Sequence, residues 1–307
     1  MKSKRSKADQ IRQPSLFEMD ESSEADATHK LNIERLLDDP HLFLGTSAFT
    51  ASGWPGSFYP SGMKSGDYLT HYASRFRTVE IDSTYYGTPS ESTVISWYRK
   101  TPPDFVFAAK IPQVVTHTKA LSGCEPEFDE FVKRMGLLHK KLGPLLFQFP
   151  HFNKYEFNAP DEFLNRLRPF LKRATEMFTV NFAVEIRNKT WLNSRLTDLL
   201  EDYNVALALT DTSFVPRPWE FKEKVDLVTA DFAYVRWLGD RKGIEKVKKT
   251  WDETIVDRTS DLKNWVDIFK SMVSNKKIVK IFAFANNHYG GHAPATIKLF
   301  QDMWKEK

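Results

Sequence analysis

The sequence predicts an α/β protein, a single-domain TIM (β/α)₈ barrel preceded by a flexible N-terminal tail. Eight short apolar runs alternate with longer segments of helical spacing over residues 41–307. Strongly apolar runs separated by helices are typical of parallel strands that are covered on both faces. Eight such units suit a barrel of about 250 residues. An open Rossmann-like sheet is less favoured, because GTSAFTASG follows the first run in place of a GxGxxG fingerprint.

The individual elements follow from these alternating patterns. The predicted strands are 42–47, 78–83, 105–111, 144–150, 182–187, 205–211, 234–238 and 279–286. The predicted helices are 66–76, 90–100, 125–142, 160–175, 192–203, 258–274 and 293–305. The sixth connection, 212–232, shows only weak helical spacing. Helix starts carry their own signals, such as the capping serine Ser90 and the first-turn proline Pro126.

The first 40 residues differ from the rest of the chain. They are polar and poor in apolar residues, so we expect a mobile tail that precedes the barrel domain, 41–307. Within the tail, Gln13, Leu16 and Phe17 resemble the short peptides that dock on bacterial DNA sliding clamps. The pattern is brief, and a tail segment that packs back on the domain explains it as well.

Composition points to an ordinary globular protein. Of 307 residues, 41% are hydrophobic and 27% are charged, and the formal charge of +4 permits an anionic partner without demanding one. Cys124 is the only cysteine, which excludes an intramolecular disulfide or a multi-cysteine zinc cluster. The sequence shows neither a secretory signal nor a run of about 18 apolar residues, so we expect a cytoplasmic protein without a membrane span.

Charged residues interrupt several predicted strands at a spacing of two. Glu80 and Asp82 share one strand face, as do Glu185 and Arg187, since side chains two apart on a strand point the same way. An unpaired charge facing the outer helices would be costly, so we expect these groups to face the lumen near the barrel mouth. Active sites of such barrels lie at this C-terminal face.

Carboxylates and cations at one mouth suit acid–base chemistry on an anionic substrate. The candidates for catalysis are Glu80, Glu185, Lys110 and Asp211. The candidates for substrate binding are Arg187, Arg236, Gln148, Asn286, His288, Tyr85, Trp54 and Trp237. The aromatic members suit stacking on sugar rings or bases. One alternative stays open, in which pairs such as Glu185 with Arg187 only plug the lumen with satisfied charges.

Other chemistries fit less well. A retaining glycosidase of the common barrel type needs carboxylates after the fourth and seventh strands, where Gln148 and Arg236 stand instead. The sequence has no HExxH signature, and the expected lumenal cations would repel a metal ion, so no metal ligand is assigned. A divalent ion stays open, and no cofactor is required by the sequence.

Several motifs together resemble the YecE-like family, also known as domain of unknown function 72. They are GTSAFTASGWPGSFYP, TVEIDSTYYGTPS, FVFAAKIPQVVTH, GPLLFQFP, AVEIRNKTW, LALTDTS, YVRWLGD and FANNHYGGHAPATI, in that order from residue 42 onward. The resemblance implies a TIM-barrel fold and brings no catalytic assignment. One departure is Ala48-Phe49, where the family usually continues with glycine and tryptophan.

Three functions are therefore carried forward. The leading expectation is an acid–base enzyme, a hydrolase, lyase or isomerase, that binds a small polar or anionic substrate containing phosphate or sugar. The second is nucleic-acid processing, in repair or RNA modification, supported by the aromatic, basic mouth and the clamp-like tail. The third is a barrel that binds a ligand without turning it over.

Overall fold

The structure is a computed structural model that describes residues 39–274 and 278–306. The clamp-like residues Gln13, Leu16 and Phe17 lie outside the described residues, so that prediction stays a prediction. Within the described ranges, no helix combines the length and the apolarity that a bilayer crossing needs.

Eight parallel strands form one sheet that curls into a near-closed barrel. They are β1 Leu42–Thr46, β2 Thr78–Ile81, β3 Val106–Lys110, β4 Leu142–Gln148, β5 Phe182–Glu185, β6 Ala206–Thr212, β7 Phe232–Gly239 and β8 Lys280–Ala285. Each strand pairs with the next along the chain from β2 to β8, and β8 pairs with β1. The predicted fold class and all eight predicted strands are confirmed, with ends that shift by a few residues.

The remaining seam of the barrel lies between β1 and β2. Gly45 allows the two strands to approach closely, because a Cβ atom there would lie 2.1 Å from the Thr78 carbonyl oxygen. The hydroxyl of Tyr72 bridges the seam: it accepts from the Thr46 amide at 2.8 Å and donates to the Thr78 carbonyl at 3.1 Å. A side chain thus supplies hydrogen bonds where the strand ladder is interrupted.

Helices surround the sheet. They are α1 Tyr68–Arg75, α2 Glu91–Arg99, α3 Glu125–Met135, α4 Pro160–Met177, α5 Ser194–Asp202, α6 Pro218–Phe221, α7 Arg241–Val247, α8 Thr259–Ser274, α9 Asn287–Gly290 and α10 Ala293–Lys305. The seven predicted helices are present. The predicted helix 125–142 ends as an α-helix at Met135 and continues as a 3₁₀ segment over Gly136–Lys141. The short helices α6, α7 and α9 were not predicted. Helix α6 lies in the sixth connection, where helical spacing is weak, and α7 buries only Ile244, so it carries little periodic signal.

The buried apolar residues divide into two clusters, as the period-two pattern of the strands requires. The larger cluster joins the outward strand faces, such as Val79 and Val184, to the helices. The smaller one fills the lumen with rings and small side chains, including Phe43, Phe282 and Ala183. Phe43 and Phe282 pack with their ring centroids 4.9 Å apart. The lumen is therefore a packed core with its polar groups above it, toward the C-terminal ends of the strands.

Candidate active site

A buried arginine holds two carboxylates together across the lumen. Arg236 of β7 donates from Nη1 to Glu185 Oε2 at 2.6 Å, and from Nη2 and Nε to Glu80 Oε1 at 2.8 and 3.1 Å. All three side chains are at most 3% exposed. Charges this deep are tolerated only when they are paired and hydrogen-bonded, so the three groups form one interdependent cluster.

The outer oxygens of both carboxylates also have partners. Tyr234 of β7 donates its hydroxyl to Glu80 Oε2 at 2.6 Å, and Arg187 donates from Nε to Glu185 Oε1 at 3.2 Å. Burial acts to raise the pKa of Glu185, but the charges of Arg236 and Arg187 outweigh burial and hold that pKa below its ordinary value. Burial and the nearby Glu80 carboxylate raise the pKa of Tyr234 well above its ordinary value. All four carboxylate oxygens are thus occupied by protein donors.

A second carboxylate–cation pair lies at the opening. Lys110, at the end of β3, places Nζ 3.0 Å from Asp82 Oδ1, and Arg236 Nη2 lies 3.6 Å from the same oxygen. The Asp82 side chain is 42% exposed, in contrast to the enclosed Glu80 and Glu185. Burial acts to raise the pKa of Asp82, yet Lys110 and Arg236 outweigh it and hold the pKa below its ordinary value. Asp82 is therefore an ionised carboxylate open to an incoming ligand.

Arg187 reaches from the lumen to the rim. Its guanidinium carbon lies 4.9 Å from the ring centroid of Phe214, and its side chain is 27% exposed. Across the described part of the chain, only Nε of this guanidinium makes a hydrogen bond. Since an arginine carries five N–H donors, both Nη atoms remain available to a ligand.

His117 lies at the mouth after β3, the strand that carries Lys110. It belongs to a π-helical turn, Val114–Thr118, that follows β3, and its ring centroid lies 5.0 Å from that of Tyr85. Burial, together with the charges of Lys110 and Arg187, lowers the pKa of His117 to about 4. At neutral pH the imidazole is therefore uncharged and able to accept a proton.

The structure brings together the core of the predicted set. Glu80, Glu185, Lys110, Arg187 and Arg236 form one continuous network of ion pairs at the C-terminal face. This placement follows the period-two interpretation of the strands.

Neutral candidates border that network. Tyr85 lies beside Lys110, whose Nζ is 4.7 Å from the ring centroid. Gln148 is paired in register with Glu185 but donates its amide to the Phe149 carbonyl at 2.6 Å. Asn286 follows β8 and caps α9 by accepting from the His288 amide at 3.0 Å.

Asp211 lies elsewhere, which corrects its expected position in the lumen. In the β6–β7 register, Thr210 pairs with the lumenal Arg236, so the following residue, Asp211, faces the helices. Its carboxylate accepts from Arg217 Nε at 2.9 Å, from Trp265 Nε1 at 3.1 Å and from the Tyr289 hydroxyl at 2.9 Å. Three donors satisfy this buried charge on the outer side of the barrel.

The two tryptophan candidates are also placed away from the lumen. Trp237 follows Arg236 directly, faces outward for the same reason, and packs on Phe269 and Phe300 without exposure. Trp54 is 1% exposed and donates from Nε1 to Asn287 Oδ1 at 3.2 Å. Their expected role in substrate stacking is not supported by these positions.

His288 is engaged by its neighbours. Its Nδ1 lies 2.5 Å from Asn286 Oδ1 and its Nε2 lies 3.0 Å from Glu245 Oε1. Its ring also packs against Trp251 at 4.8 Å between centroids. Both ring nitrogens are thus already used, so His288 offers little to a ligand in this arrangement.

Some residues of the site were not among the predicted catalytic or binding residues. Tyr234 is two residues from Arg236, so the spacing argument applied to Glu80 and Glu185 would have placed both β7 residues on one strand face. Asp82 shares a predicted strand face with Glu80, and His117 follows the third predicted strand, but the exposure of Asp82 and the lowered pKa of His117 become visible only in three dimensions. Within 39–274 and 278–306, no group of three or more His, Cys, Asp or Glu side chains is arranged to hold a metal ion.

Fold and site together define a TIM-like barrel with a network of ion pairs at the C-terminal mouth. A family model described as "Protein of unknown function DUF72" matches residues 43–307, and the chain belongs to that family. The resemblance inferred from the sequence motifs is confirmed.

Relatives with curated names give no activity. The UPF0759 protein YecE of Escherichia coli K12 is 31% identical over 138 residues, which cover 44% of this chain and 47% of YecE. The UPF0759 protein YunF of Bacillus subtilis is 32% identical over 150 residues, covering 46% of this chain and 51% of YunF. The chain spans about half the length of these relatives in the matched regions.

Solved structures match over a greater length. A DUF72 family protein of Thermotoga maritima has a TM-score of 0.66 and 25% identity, and the match covers 87% of this chain and all of that one. A DUF72 family protein of Enterococcus faecalis has a TM-score of 0.60 and 21% identity, covering 87% and 98% of the two chains. These likenesses support the fold, and function must be argued from the site.

Proposed function

We propose that the protein is an acid–base enzyme that binds a small anionic substrate at the barrel mouth. The observation that carries this proposal is that two cationic side chains at the mouth have unused hydrogen-bond donors. Lys110 and Arg187 each spend one donor on a protein carboxylate, and their remaining donors make no hydrogen bond in the part of the chain that the structure describes. Two cations with unused donors at one opening suit a phosphate or carboxylate group.

The buried cluster beneath the mouth gives this binding site its rigidity. Glu185 is held by Arg236 and in turn holds Arg187 by its Nε atom, which leaves the Nη atoms for the substrate. A donor fixed before the ligand arrives loses less entropy on binding and stabilises developing charge more effectively. We therefore assign Glu80 and Glu185 to positioning rather than to proton transfer, because their oxygens are occupied and enclosed.

Proton transfer is assigned to the accessible groups. His117 is an uncharged imidazole at neutral pH and Asp82 is an exposed carboxylate, so both are in the form that accepts a proton. Lys110 lies between Asp82 and Tyr85, and its ammonium group can donate a proton to the oxygen of a leaving group or to an oxygen on which negative charge develops. A hydrolase, lyase or isomerase reaction would use these steps.

The experiment is a thermal-shift and calorimetric screen of phosphorylated and carboxylated metabolites with matched variants. The affinity of the protein for any anion that binds should fall at least tenfold in Lys110→Met and in Arg187→Ala. The controls Lys119→Met and Arg195→Ala remove equivalent ion pairs, with Glu127 and Asp161, outside the network and should bind as the parent does.

The outcomes separate the alternatives. Unchanged anion binding by both mouth variants would contradict the proposal. Tight binding without turnover of any bound metabolite would favour the non-catalytic barrel instead of the enzyme.

A nucleic-acid substrate is the second candidate, favoured by exposed rings at the rim. Tyr86, Tyr155 and Phe214 are 78%, 89% and 48% exposed, in the loops after β2, β4 and β6. Exposed rings beside cations can stack on the bases of a single strand. This candidate predicts salt-dependent binding of a labelled oligonucleotide that Tyr86→Ala and Tyr155→Ala weaken. It also predicts that clamp pull-down is lost on changing Leu16 and Phe17.

A further inference from the structure

The mouth of the barrel has two unlike sides. The charged groups come from β2, β3, β5 and β7, whereas β1 and β8 contribute uncharged polar groups. In the β1–β8 register Thr46 pairs with Ala285, and the Ser47 amide donates to the Ala285 carbonyl at 3.0 Å. Ser47 and Asn286 therefore lie next to each other, at the upper ends of neighbouring strands.

Both residues belong to the lumenal side. Phe43 on β1 and Phe284 on β8 are lumenal, and steps of two residues from them reach Ser47 and Asn286. The intervening Thr46 faces outward, where its hydroxyl lies 2.8 Å from the hydroxyl of Tyr72 on α1. The neutral side of the mouth is thus a pair of hydrogen-bonding side chains beside β2 and Asp82.

Ser47 stands out because its hydroxyl lacks a partner. The residue is 4% exposed, and Oγ makes no hydrogen bond with any residue that the structure describes. Buried polar atoms are nearly always paired, and one that is left unpaired calls for an explanation. A serine hydroxyl can rotate to meet a group that arrives from the opening.

The neighbouring groups have unused capacity as well. Asn286 uses Oδ1 for His288, while its Nδ2 has no partner among the described residues. Asp82 uses Oδ1 for Lys110 and Arg236, while Oδ2 is similarly unpaired within those ranges. A hydroxyl that donates and accepts, an amide donor and a carboxylate acceptor together match the needs of alcohol groups.

We infer that the substrate carries hydroxyl groups opposite its anionic group, which makes it a phosphorylated or carboxylated sugar or polyol. The anion lies between Lys110 and Arg187, and the hydroxyl-bearing part lies against Ser47, Asn286 and Asp82. The half-buried ring of Tyr85, next to Lys110, adds an apolar face of the kind that packs on the C–H side of a sugar. This inference rests on the proposed anion site and deepens it.

The test is calorimetry with ligands that differ in one half. Glucose 6-phosphate and ribose 5-phosphate carry both groups, gluconate replaces the phosphate by a carboxylate, and butyl phosphate and inorganic phosphate lack the hydroxyl-bearing part. The parent should bind at least one hydroxylated ligand at least tenfold more tightly than butyl phosphate.

The decisive variant is Ser47→Ala. This substitution should lower the affinity for that hydroxylated ligand about five- to tenfold, as expected for one lost hydrogen bond, and leave the affinity for butyl phosphate unchanged. Its melting temperature should equal or exceed that of the parent, because an unpaired hydroxyl is removed. Ser83→Ala is the control, since Ser83 is an exposed serine at the same face, and it should behave as the parent.

The outcomes distinguish this inference from the proposal on which it rests. Equal affinity for glucose 6-phosphate, gluconate and butyl phosphate, or no effect of Ser47→Ala, would overturn the inference and leave the anion site standing. Equal weakening of all ligands together with a lower melting temperature would make Ser47 a structural residue and also overturn it. Anion binding that survives both Lys110→Met and Arg187→Ala would contradict the proposed anion site and, with it, this inference.

Discussion

Arg236 donates to Glu185 across the lumen at 2.6 Å, with both side chains shielded from water. The contact joins β7 to β5, and the other half of the same guanidinium joins β7 to Glu80 on β2. The barrel is thus cross-linked by charge at the level where the apolar core ends. Since Glu185 also holds Arg187, the buried pair links the stability of the fold to the geometry of the mouth.

Replacing the central cation should be costly. Arg236→Met leaves Glu80 and Glu185 buried without their main partner, and we expect a loss of about 3–5 kcal/mol in the free energy of unfolding, measured by urea titration. The loss should be smaller at pH 5 than at pH 8. Without Arg236, only Arg187 and Lys110 oppose the effect of burial on Glu185, so the pKa of Glu185 rises and the loss grows as the pH increases through that pKa. The control is Arg195→Met, on the surface, which should change stability by less than about 0.5 kcal/mol. An equally small effect of Arg236→Met would contradict the claim that Arg236 stabilises the barrel by joining its strands.

The Tyr234 hydroxyl is a second, smaller test of the buried cluster. Tyr234→Phe removes only the donor to Glu80 Oε2 and leaves a buried carboxylate oxygen without a partner. We expect a loss of about 1–3 kcal/mol in the free energy of unfolding. Tyr155→Phe, at an exposed ring, is the control and should be neutral. Equal stability of the two variants would show that the Tyr234–Glu80 hydrogen bond does not support the cluster.

His117 should make the protein sensitive to mild acid. Its pKa is about 4 in the folded chain and about 6.5 unfolded, so the unfolded state binds more protons between these values. Stability should therefore fall as the pH drops from about 6.5 to 4. His117→Gln should remove roughly 1 kcal/mol of this fall, allowing for solvent screening of a half-buried group. If the stability of the parent and of the variant changes with pH in the same way, His117 is not the source of the acid sensitivity.

Anion binding should change the titration of the same histidine. A phosphate between Lys110 and Arg187 offsets two charges that lower the pKa of His117, so this pKa should rise when the ligand is bound. An NMR titration of the His117 ring, with and without ligand, measures the shift. A pKa that stays near 4 in the saturated complex would mean that the anion lies elsewhere.

Asp211 should matter for folding and not for the mouth. Asp211→Asn places an amide donor among Arg217, Trp265 and Tyr289, three donors that need a carboxylate. We expect a loss of about 1–3 kcal/mol in stability with ligand affinity unchanged, measured by urea titration and calorimetry. Loss of affinity in a variant that folds normally would restore Asp211 to the binding site.

Sequence patterns were sufficient where burial imposes a simple period. The β5 run FAVEIR predicted both the strand and the side to which Glu185 and Arg187 point, because opposite strand faces meet different surroundings. Asp211 and Trp237 were misplaced because nearness to a strand end was used in place of that period. Their neighbours Thr210 and Arg236 occupy the lumenal positions.

The partners of each charge could not be predicted in the same way. Whether Arg236 bonds to Glu80, Glu185 or both depends on the relative heights of β2, β5 and β7, which follow from the stagger of the whole barrel. Exposure has the same origin: Glu80 and Asp82 share a strand face, yet one is enclosed and the other opens to water. The unpaired hydroxyl of Ser47 likewise becomes visible only when every neighbour is in place.

A crystal structure of the protein with a bound phosphate ester tests the central claim most directly. The account predicts phosphate oxygens within hydrogen-bond distance of Lys110 Nζ and the Nη atoms of Arg187, with His117 beside them. A phosphate that instead occupies the cavity near Arg217 and Arg258, outside the lumen, would contradict it.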